Sequence, residues 1–342
     1  MKVPGELRNC WYIAGRAIDF NGTPLARTIL AEPIVFYRKS DGGLCALEDR
    51  CAHRMTPLSM GRCEGDDLRC LYHGSKYAPS GRCIELPGQS RIPERMRVKS
   101  YPVHERSGWC WVWMGKPELA DPKLIPPVFD LAQAGWLTGT TMRDYAAGVD
   151  LITENLLDTS HIEHVHASNG FAELWWLANP PKVTLIDRGV RVEWWAEQLP
   201  AGDNVFVDQR AIYHCWAPGT KLMNLDSFSP GTAKHVRSGG ECPAPLAINL
   251  ACFAPVPITA TTTRFFLAWA VPDGEGAMAR LESSMASVER GFDEDQRMLE
   301  AQQRNIDRFG EATIIAVRAD EAIIQFQKVC AALAQAEQPN AG

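Results

Sequence analysis

The N-terminal part of the chain alternates short hydrophobic runs with turn-forming residues. Runs rich in β-branched and aromatic side chains occur at residues 34–37, 44–47, 68–71, 98–101 and 109–113. Between them, Asp41-Gly42-Gly43 and Ser80-Gly81 are typical of tight turns. This spacing predicts a small antiparallel β domain.

A proline-rich segment separates this part of the chain from the rest. Residues 116–127 contain four prolines, so we place one domain at residues 1–120 and a second at 121–342. In the second domain, strand-like runs occur at residues 182–198, 247–252 and 261–271. Apolar residues recur at helical spacing at residues 278–309 and 320–333. The pattern predicts an α+β domain in which a long helix packs on a sheet.

One acidic residue of the predicted long helix stands where the pattern requires an apolar side chain. Apolar residues recur there in steps of three or four, at Leu281, Met285, Val288, Phe292 and Leu299. Asp295 falls on the same face, between the last two. Because burying an unpaired carboxylate is costly, such a residue is normally paired or bound to a metal. We therefore predict Asp295 as a metal ligand, and its neighbours Asp293 and Glu294 as solvent-facing charges.

Composition narrows the class of protein. The chain has 342 residues, 46% hydrophobic and 22% charged, with a formal net charge of −6. This charge argues against nucleic acid as a partner, and no apolar stretch approaches the roughly 20 residues of a membrane span. No secretory signal is readable, so we expect a cytoplasmic protein without a membrane partner. The 11 cysteines then favour reduced thiols and metal ligands over disulfides.

Two cysteines and two histidines form the strongest motif in the chain. Cys51-x-His53 is followed by Cys70-x-x-His73, so each half supplies one thiolate and one imidazole. A [2Fe–2S] cluster in which two histidines replace two cysteines on one iron needs such a pair from each of two loops. A structural zinc site also uses two cysteines and two histidines, and it stays the alternative on this evidence.

A second group of polar residues lies further along the chain. If this segment is helical, Asn155, Asp158 and His161 share one face of the helix. His166 would be rotated away from them, so we expect the helix to loosen over residues 162–165 if both imidazoles bind one metal.

These two histidines lack only a carboxylate to form the metal-binding triad of Fe(II) oxygenases. His161, His166 and the distant Asp295 would together supply two imidazoles and one carboxylate. The alternative is a solvated, histidine-rich helix end, whose cationic side chains favour the helix dipole. We assign His164 to that alternative.

The first motif resembles that of a known family. Residues 50–54 and 70–74, with the sequences Arg-Cys-Ala-His-Arg and Cys-Leu-Tyr-His-Gly, are similar to the Rieske motif of the non-haem iron oxygenases. The likeness extends along the chain and is greatest to the oxygenase components of vanillate O-demethylase and toluenesulfonate methyl-monooxygenase, with dicamba demethylase more distant. The pattern Asn-x-x-Asp-x-x-His-x4-His and the segment around Asp295 also match this family.

The resemblance implies a fold and a set of cofactors. The fold is an antiparallel β Rieske domain followed by a helix-grip catalytic domain, in which an antiparallel sheet holds a long helix. The cofactors are a [2Fe–2S] Rieske cluster and a mononuclear Fe(II). The implied ligands are Cys51, His53, Cys70 and His73 for the cluster and His161, His166 and Asp295 for the iron.

The resemblance also implies a reaction and partners. Electrons from NAD(P)H would arrive through a separate flavin and iron–sulfur reductase, and O2 would be used to hydroxylate or O-demethylate a small aromatic substrate, expected to be an acid. In a homotrimer, Asp158 would link His161 of its own chain to a Rieske histidine, His73, of a neighbouring copy. Asp158 and Asn155 are therefore candidate catalytic residues.

Other functions stay open at this stage. A dihydroxylating dioxygenase α subunit would share the motifs, although such chains are usually longer. A non-catalytic iron–sulfur electron carrier or a zinc-stabilised binding module would leave the position of Asp295 unexplained. Several polar and aromatic residues are candidates to line an aromatic pocket: Trp175, Trp176, Trp194, Trp195, Trp216 and Asn224.

Overall fold

A computed structural model describes residues 7–167, 180–200, 205–310 and 315–338. The chain divides into two compact units, one formed by Leu7–Pro126 with Pro257–Ala260 and the other by the described parts of Pro127–Val256 and Thr261–Gly342. The domain boundary after residue 120 stays a prediction; the compact units part at residue 126.

The N-terminal unit is built from short antiparallel strands. They are β1 (Trp11–Arg16), β2 (Leu25–Ile29), β3 (Glu32–Arg38), β4 (Leu44–Glu48), β5 (Arg62–Glu64), β6 (Asp67–Arg69), β7 (Lys76–Tyr77), β8 (Cys83–Glu85), β9 (Ser100–Tyr101), β10 (Val103–Arg106) and β11 (Trp109–Trp113). Three sheets result, in the orders β1-β11-β10, β2-β3-β4-β9 and β5-β6-β7-β8. The hydrophobic run at residues 68–71 overlaps β6, which ends at Arg69 because a turn begins at Cys70.

A hydrophobic core in this unit supports that turn. Val35 and Leu47 of the second sheet pack with Leu68 and Tyr77 of the third. Cys51 and Cys70 belong to the same buried cluster, whose members are mostly less than a few per cent exposed. The cysteine of each motif half is therefore anchored in the core, while the residues that follow it lie in loops.

The C-terminal unit contains longer strands and five described helices. The strands are β12 (Trp136–Tyr145), β13 (Lys182–Ile186), β14 (Gly189–Pro200), β15 (Phe206–Trp216), β16 (Thr220–Phe228), β17 (Ala247–Thr259) and β18 (Thr262–Pro272). The helices are α1 (Val149–Leu157), α2 (Ile162–Val165), α3 (Thr232–Arg237), α4 (Ala277–Phe309) and α5 (Glu321–Glu337). Within the described ranges the strands form one antiparallel sheet, in the order β12-β18-β17-β16-β15-β14-β13.

The long helix α4 packs on this sheet, which confirms the predicted α+β class. Leu281 and Leu299 of α4 share a buried cluster with Phe265 of β18. Gly139 of β12 permits a close approach, since a Cβ there would lie 3.1 Å from Met285 Cγ of α4. No helix in the described part of the chain is both long enough and apolar enough to cross a membrane.

Candidate active site

Two loops of the N-terminal unit carry the first motif and close in the same way. The N–H of each cysteine donates to the carbonyl five residues on, at 2.7 Å for Cys51 and 2.9 Å for Cys70. The carbonyl of each cysteine accepts from the N–H four residues on, at 2.9 Å and 3.0 Å respectively. Gly74 at that fourth position has a left-handed φ of +78°, and a Cβ there would lie 2.8 Å from Pro87 Cγ, so the turn favours glycine.

The loops bring the four side chains together as two pairs. Cys51 and Cys70 are both buried, in one hydrophobic cluster. His53 and His73 are exposed, with ring centroids 4.6 Å apart. A cluster with both cysteines on one iron and both histidines on the other needs this pairing. Among the described residues, the four do not form one compact group with all donor atoms within 4.8 Å, as a single tetrahedral zinc ion would require.

Tyr77 supports the thiol pair, and sequence reasoning missed it. Its hydroxyl lies 3.2 Å from Cys51 Sγ and accepts a hydrogen bond from the Ala52 N–H at 3.0 Å, so its own proton is available to the sulfur. Burial would raise the pKa of the Cys51 thiol, but hydrogen bonds from Tyr77 and from loop N–H groups outweigh burial and lower it. A thiolate, the form that binds iron, is thereby favoured.

The helix that carries the second polar group ends earlier than predicted. α1 stops at Leu157, and Asp158 is extended, with φ −76° and ψ 131°. The predicted shared helical face of Asn155, Asp158 and His161 is therefore wrong, as is the predicted loosening at 162–165, which instead forms the turn of α2. The Asp158 carboxylate accepts from the backbone N–H of Ser160 at 2.7 Å, which stabilises a turn in place of further helix.

This break places two histidines beside the long helix. His161 Nε2 lies 3.6 Å and His166 Nε2 lies 3.4 Å from Asp295 Oδ1, and the three donor atoms all lie within 4.8 Å of one another. Asp295 is 4% exposed, which confirms the burial that the helical periodicity predicts. Two imidazoles and one carboxylate converging on a single point fit a ferrous ion.

Each triad imidazole contacts a carboxylate through its other ring nitrogen. Asp158 Oδ2 lies 3.3 Å from His161 Nδ1, and Glu294 Oε2 lies 2.8 Å from His166 Nδ1. Such contacts favour a proton on Nδ1 and leave Nε2 for a metal. The Asp293 side chain is 61% exposed, as predicted, but that of Glu294 is only 19% exposed. The solvent-facing prediction for Glu294 is wrong because its carboxylate is the partner of His166.

These contacts change the ionisation of two groups. Burial opposes the charge of Asp158, but hydrogen bonds from His161 and Ser160 outweigh it and lower the pKa of Asp158 below its ordinary value. For His166, burial lowers the pKa, while hydrogen bonds and charge from Asp295 and the neighbouring glutamate raise it, and the net shift is upward. Both shifts therefore favour the charged form of the side chain more than solvent would.

The two remaining polar candidates of this segment, Asn155 and His164, differ in whether they contact the triad. Asn155 Nδ2 donates to Asp295 Oδ1 at 3.1 Å and lies 3.3 Å from His161 Nε2, so the amide touches two members of the triad. The His164 side chain is 70% exposed and belongs at the solvated surface, as predicted.

The triad lines a cavity of about 230 Å³ between α1, α2, α4 and one face of the sheet. Most of the remaining wall is apolar and comes from Leu156, Met223, Leu225, Phe253, Trp269 and Phe292. The polar side chains that also line it include Gln209 and Lys221, which sequence reasoning missed because nothing in the local pattern marks them.

Of the residues predicted to line a pocket, Trp194 does so. Trp195, Trp216 and Asn224 are not part of this lining. Successive side chains of a strand face opposite sides of a sheet, and the neighbours of Asn224 on β16 are the ones that face the cavity. Trp195 packs against Phe228, with ring centroids 5.2 Å apart. Trp175 and Trp176 lie outside the described residues.

Comparison with known proteins agrees with this geometry. Residues 10–102 match the Rieske [2Fe-2S] domain, and residues 145–336 match the vanillate O-demethylase oxygenase C-terminal domain. These two domains in this order define an oxygenase component. The chain therefore belongs to the Rieske non-haem iron oxygenases, of the monooxygenase and demethylase type. The cofactors of this family are a Rieske [2Fe–2S] cluster and a mononuclear iron, and the two donor sets fit them.

Individual relatives match over nearly their full length. The toluene-4-sulfonate monooxygenase system iron-sulfur subunit of Comamonas testosteroni is 32% identical over 97% of this chain and 98% of the relative. The vanillate O-demethylase oxygenase subunit of Pseudomonas sp. (strain HR199 / DSM 7063) is 31% identical over 97% and 96%. The crystal structure of dicamba monooxygenase bound to 3,6-dichlorosalicylic acid has a TM-score of 0.85 at 25% identity, covering 96% of this chain and 98% of that one.

Proposed function

We propose that this chain hydroxylates or O-demethylates a small aromatic acid, using O2 and electrons that a separate flavin and iron–sulfur reductase takes from NAD(P)H. The observation that carries the proposal is the position of His161, His166 and Asp295 on the wall of an apolar cavity of about 230 Å³. A cavity of this size and character suits one substituted ring. The relatives named for vanillate, toluene-4-sulfonate and dicamba support an aromatic acid.

We assign the two donor sets to two cofactors. Cys51 and Cys70 with His53 and His73 would hold the [2Fe–2S] cluster, and the triad would hold ferrous iron. When bound, these groups supply electron transfer and O2 activation for insertion of one oxygen atom into a C–H bond. The protein's own residues orient the imidazoles through carboxylates at Nδ1, and the apolar wall keeps bulk water from the ring.

Asp158 has a second role in this proposal. Its carboxylate faces His161 and its side chain remains 20% exposed. We infer that the exposed edge accepts a hydrogen bond from His73 of a neighbouring copy in a homotrimer, which connects the two redox sites across the subunit boundary. The lowered pKa of Asp158 keeps the carboxylate charged and able to accept from both imidazoles.

The test is turnover with a reductase and a series of methyl- and methoxy-substituted aromatic acids. Hydroxylation of a methoxy carbon gives a hemiacetal that breaks down to formaldehyde and a phenol, and hydroxylation of an aryl methyl group gives an alcohol. Substrate-dependent O2 uptake with either product supports the proposal. A cis-diol product would indicate a dihydroxylating dioxygenase, and the absence of O2 uptake by the iron-loaded protein with every acid would indicate an electron carrier.

A further inference from the structure

Lys221 is a charged side chain buried in the wall of the cavity. It lies on β16 between Cys215 of β15 and Phe253 of β17, in the interior of the sheet. The residue is only 7% exposed. Lysines are seldom buried to this degree without an anionic partner, because removing an ammonium from water is strongly unfavourable. Its presence in a mainly apolar part of the wall therefore needs an explanation.

The partners of Lys221 within the chain do not neutralise its charge. Nζ donates one hydrogen bond, 2.5 Å long, to the carbonyl of Leu156 at the end of α1. It also lies 3.9 Å from the centroid of the Tyr213 ring and 5.5 Å from that of Phe253. Among the residues that the structure describes, no carboxylate oxygen lies within 4.0 Å of Nζ. Since an ammonium has three N–H donors, the side chain keeps donor capacity beyond the Leu156 carbonyl.

The pKa of Lys221 agrees with an ammonium group that has no carboxylate close to it. Burial lowers the pKa of Lys221 to about 8, even though the more distant charge of Asp295 opposes the shift. The ammonium form still predominates at neutral pH. An anion entering the cavity would offset the cost of burial, and it would find the remaining wall formed mainly by aromatic and aliphatic side chains.

We propose that Lys221 binds the acidic group of the substrate, a carboxylate or sulfonate on an aromatic ring, and thereby selects anionic over neutral aromatic compounds. The ring would pack among the apolar side chains of the cavity, which include Met223 on the same strand as Lys221 and Phe253 opposite Lys221 on β17. This inference rests on the proposed function for the identity of the cavity as a substrate site. It adds the residue that recognises the acid.

A purely structural role is the competing explanation. The carbonyl of Leu156 is one of the last carbonyls of α1, which have no partner within the helix, so Lys221 also caps that helix. A helix cap would act on every ligand alike, because it would change the position of Asn155 and the residues that follow. A substrate anchor acts on the acid alone, and this difference decides the test.

The test measures equilibrium binding to the purified, iron-loaded protein without reductase, by calorimetry. The probes are 4-methoxybenzoate, 4-methoxybenzenesulfonate and the uncharged 4-methoxybenzamide. For the native protein we expect at least one acid to bind roughly 10-fold or more tightly than the amide. Lys221→Met should weaken binding of that acid by about 30-fold or more, as expected for loss of one partner of a buried charge pair, and should change amide binding less than about 3-fold.

Control variants separate charge from folding. Lys182→Met removes the same charge from an exposed position of the sheet and should leave all affinities unchanged. Lys221→Arg should keep the preference for the acid, and Lys221→Gln should lose it, so the inference can be tested even if Lys221→Met does not fold. The Rieske absorption spectrum and the iron content report folding of each variant.

Three results would overturn the inference: no acid binds more tightly than the amide, the preference survives in Lys221→Met and Lys221→Gln, or acid and amide weaken equally. If the affinity for either acid depends on Lys221, the inference is supported. The acid that shows this dependence identifies the recognised group as a carboxylate or a sulfonate. Because no turnover is involved, acid binding that depends on Lys221 in a protein that never consumes O2 would contradict only the proposed function. Equal oxidation of acids and amides would contradict only the role of Lys221.

Discussion

The two donor sets of this protein differ in sequence separation and in exposure. The cluster donors lie within residues 51–73, on two loops that close through the same backbone hydrogen bonds. The triad donors come from two distant parts of the chain, His161 and His166 from the two ends of α2 and Asp295 from α4, and the carboxylate is almost fully buried. One set is fixed by local turns, and the other depends on the packing of α4 against the rest of its unit.

This difference matches the tasks proposed for the two sites. His53 and His73 are exposed at the surface, where an imidazole edge is accessible to an electron donor. The triad lies in the wall of a mainly apolar cavity, where a substrate ring can be held. The comparison also predicts that changes at one site leave the other intact, and the following variants test this separation.

The largest effect is expected for Asp295→Ala. Removal of the only carboxylate of the triad should abolish turnover and release about one iron per chain, while the Rieske spectrum persists because its ligands lie in the other unit. Metal analysis and absorption spectroscopy measure both. Asp293→Ala is the matched control two residues away on the same helix, and its iron content should be normal. Normal iron in Asp295→Ala would remove this residue from the triad.

Asp158→Ala tests the connection between the sites. We expect turnover to fall by more than about 100-fold, beyond the roughly 10- to 100-fold typical for loss of a residue that only orients a ligand. Iron content and the Rieske spectrum should be retained, and single-turnover oxidation of the reduced cluster should be slow. Retained turnover would reduce Asp158 to the orienting partner of His161.

Glu294→Gln tests a residue that orients a metal ligand but does not connect the two redox sites. The amide preserves the shape but weakens the contact with His166 Nδ1, so iron affinity should fall by roughly 10-fold, within the range known for such partners. Titration of the iron-depleted protein with Fe(II) measures this affinity, and the control is Asp293→Asn. An effect of Glu294→Gln on turnover at saturating iron as large as that of Asp158→Ala would contradict the special role of Asp158.

The smallest effect is expected at the cluster itself. Tyr77→Phe removes the hydroxyl 3.2 Å from Cys51 Sγ, which stabilises the more negative, reduced state. The reduction potential of the cluster should therefore fall by some tens of millivolts, while iron and sulfide content and the triad stay unchanged. Redox titration followed by absorption measures the shift. Tyr72→Phe, at an exposed position of the second loop, should leave the potential unchanged, and an equal shift there would contradict the assignment.

Sequence reasoning succeeded where local chemistry determines structure. The spacing of Cys51, His53, Cys70 and His73 identified two loops, and the helical period identified Asp295 as buried. The long helix and the strand-like run at residues 182–198 were also predicted, since their periodicity is strong. By contrast, no strand was predicted for β12, β15 or β16, because their polar residues interrupt the alternation.

The failures have two causes: a side chain that competes locally with the helix backbone, and long-range contacts that the local pattern does not show. The turn after Leu157 forms because the Asp158 carboxylate binds nearby backbone N–H groups, which competes with continuation of the helix. Glu294 is shielded because His166, more than a hundred residues earlier, supplies its partner. Lys221 looks like an ordinary polar residue of a strand until neighbouring strands enclose it.

Metal and acid-labile sulfide analysis of the full chain, prepared anaerobically with sufficient iron, tests directly whether the protein holds both metal sites. We predict about three irons and two sulfides per chain, the content of one [2Fe–2S] cluster and one mononuclear site. Paramagnetic resonance of the reduced protein should show a Rieske signal. Zinc in place of iron, or protein without sulfide, would contradict the central claim that a histidine-ligated cluster and a separate iron triad share this chain.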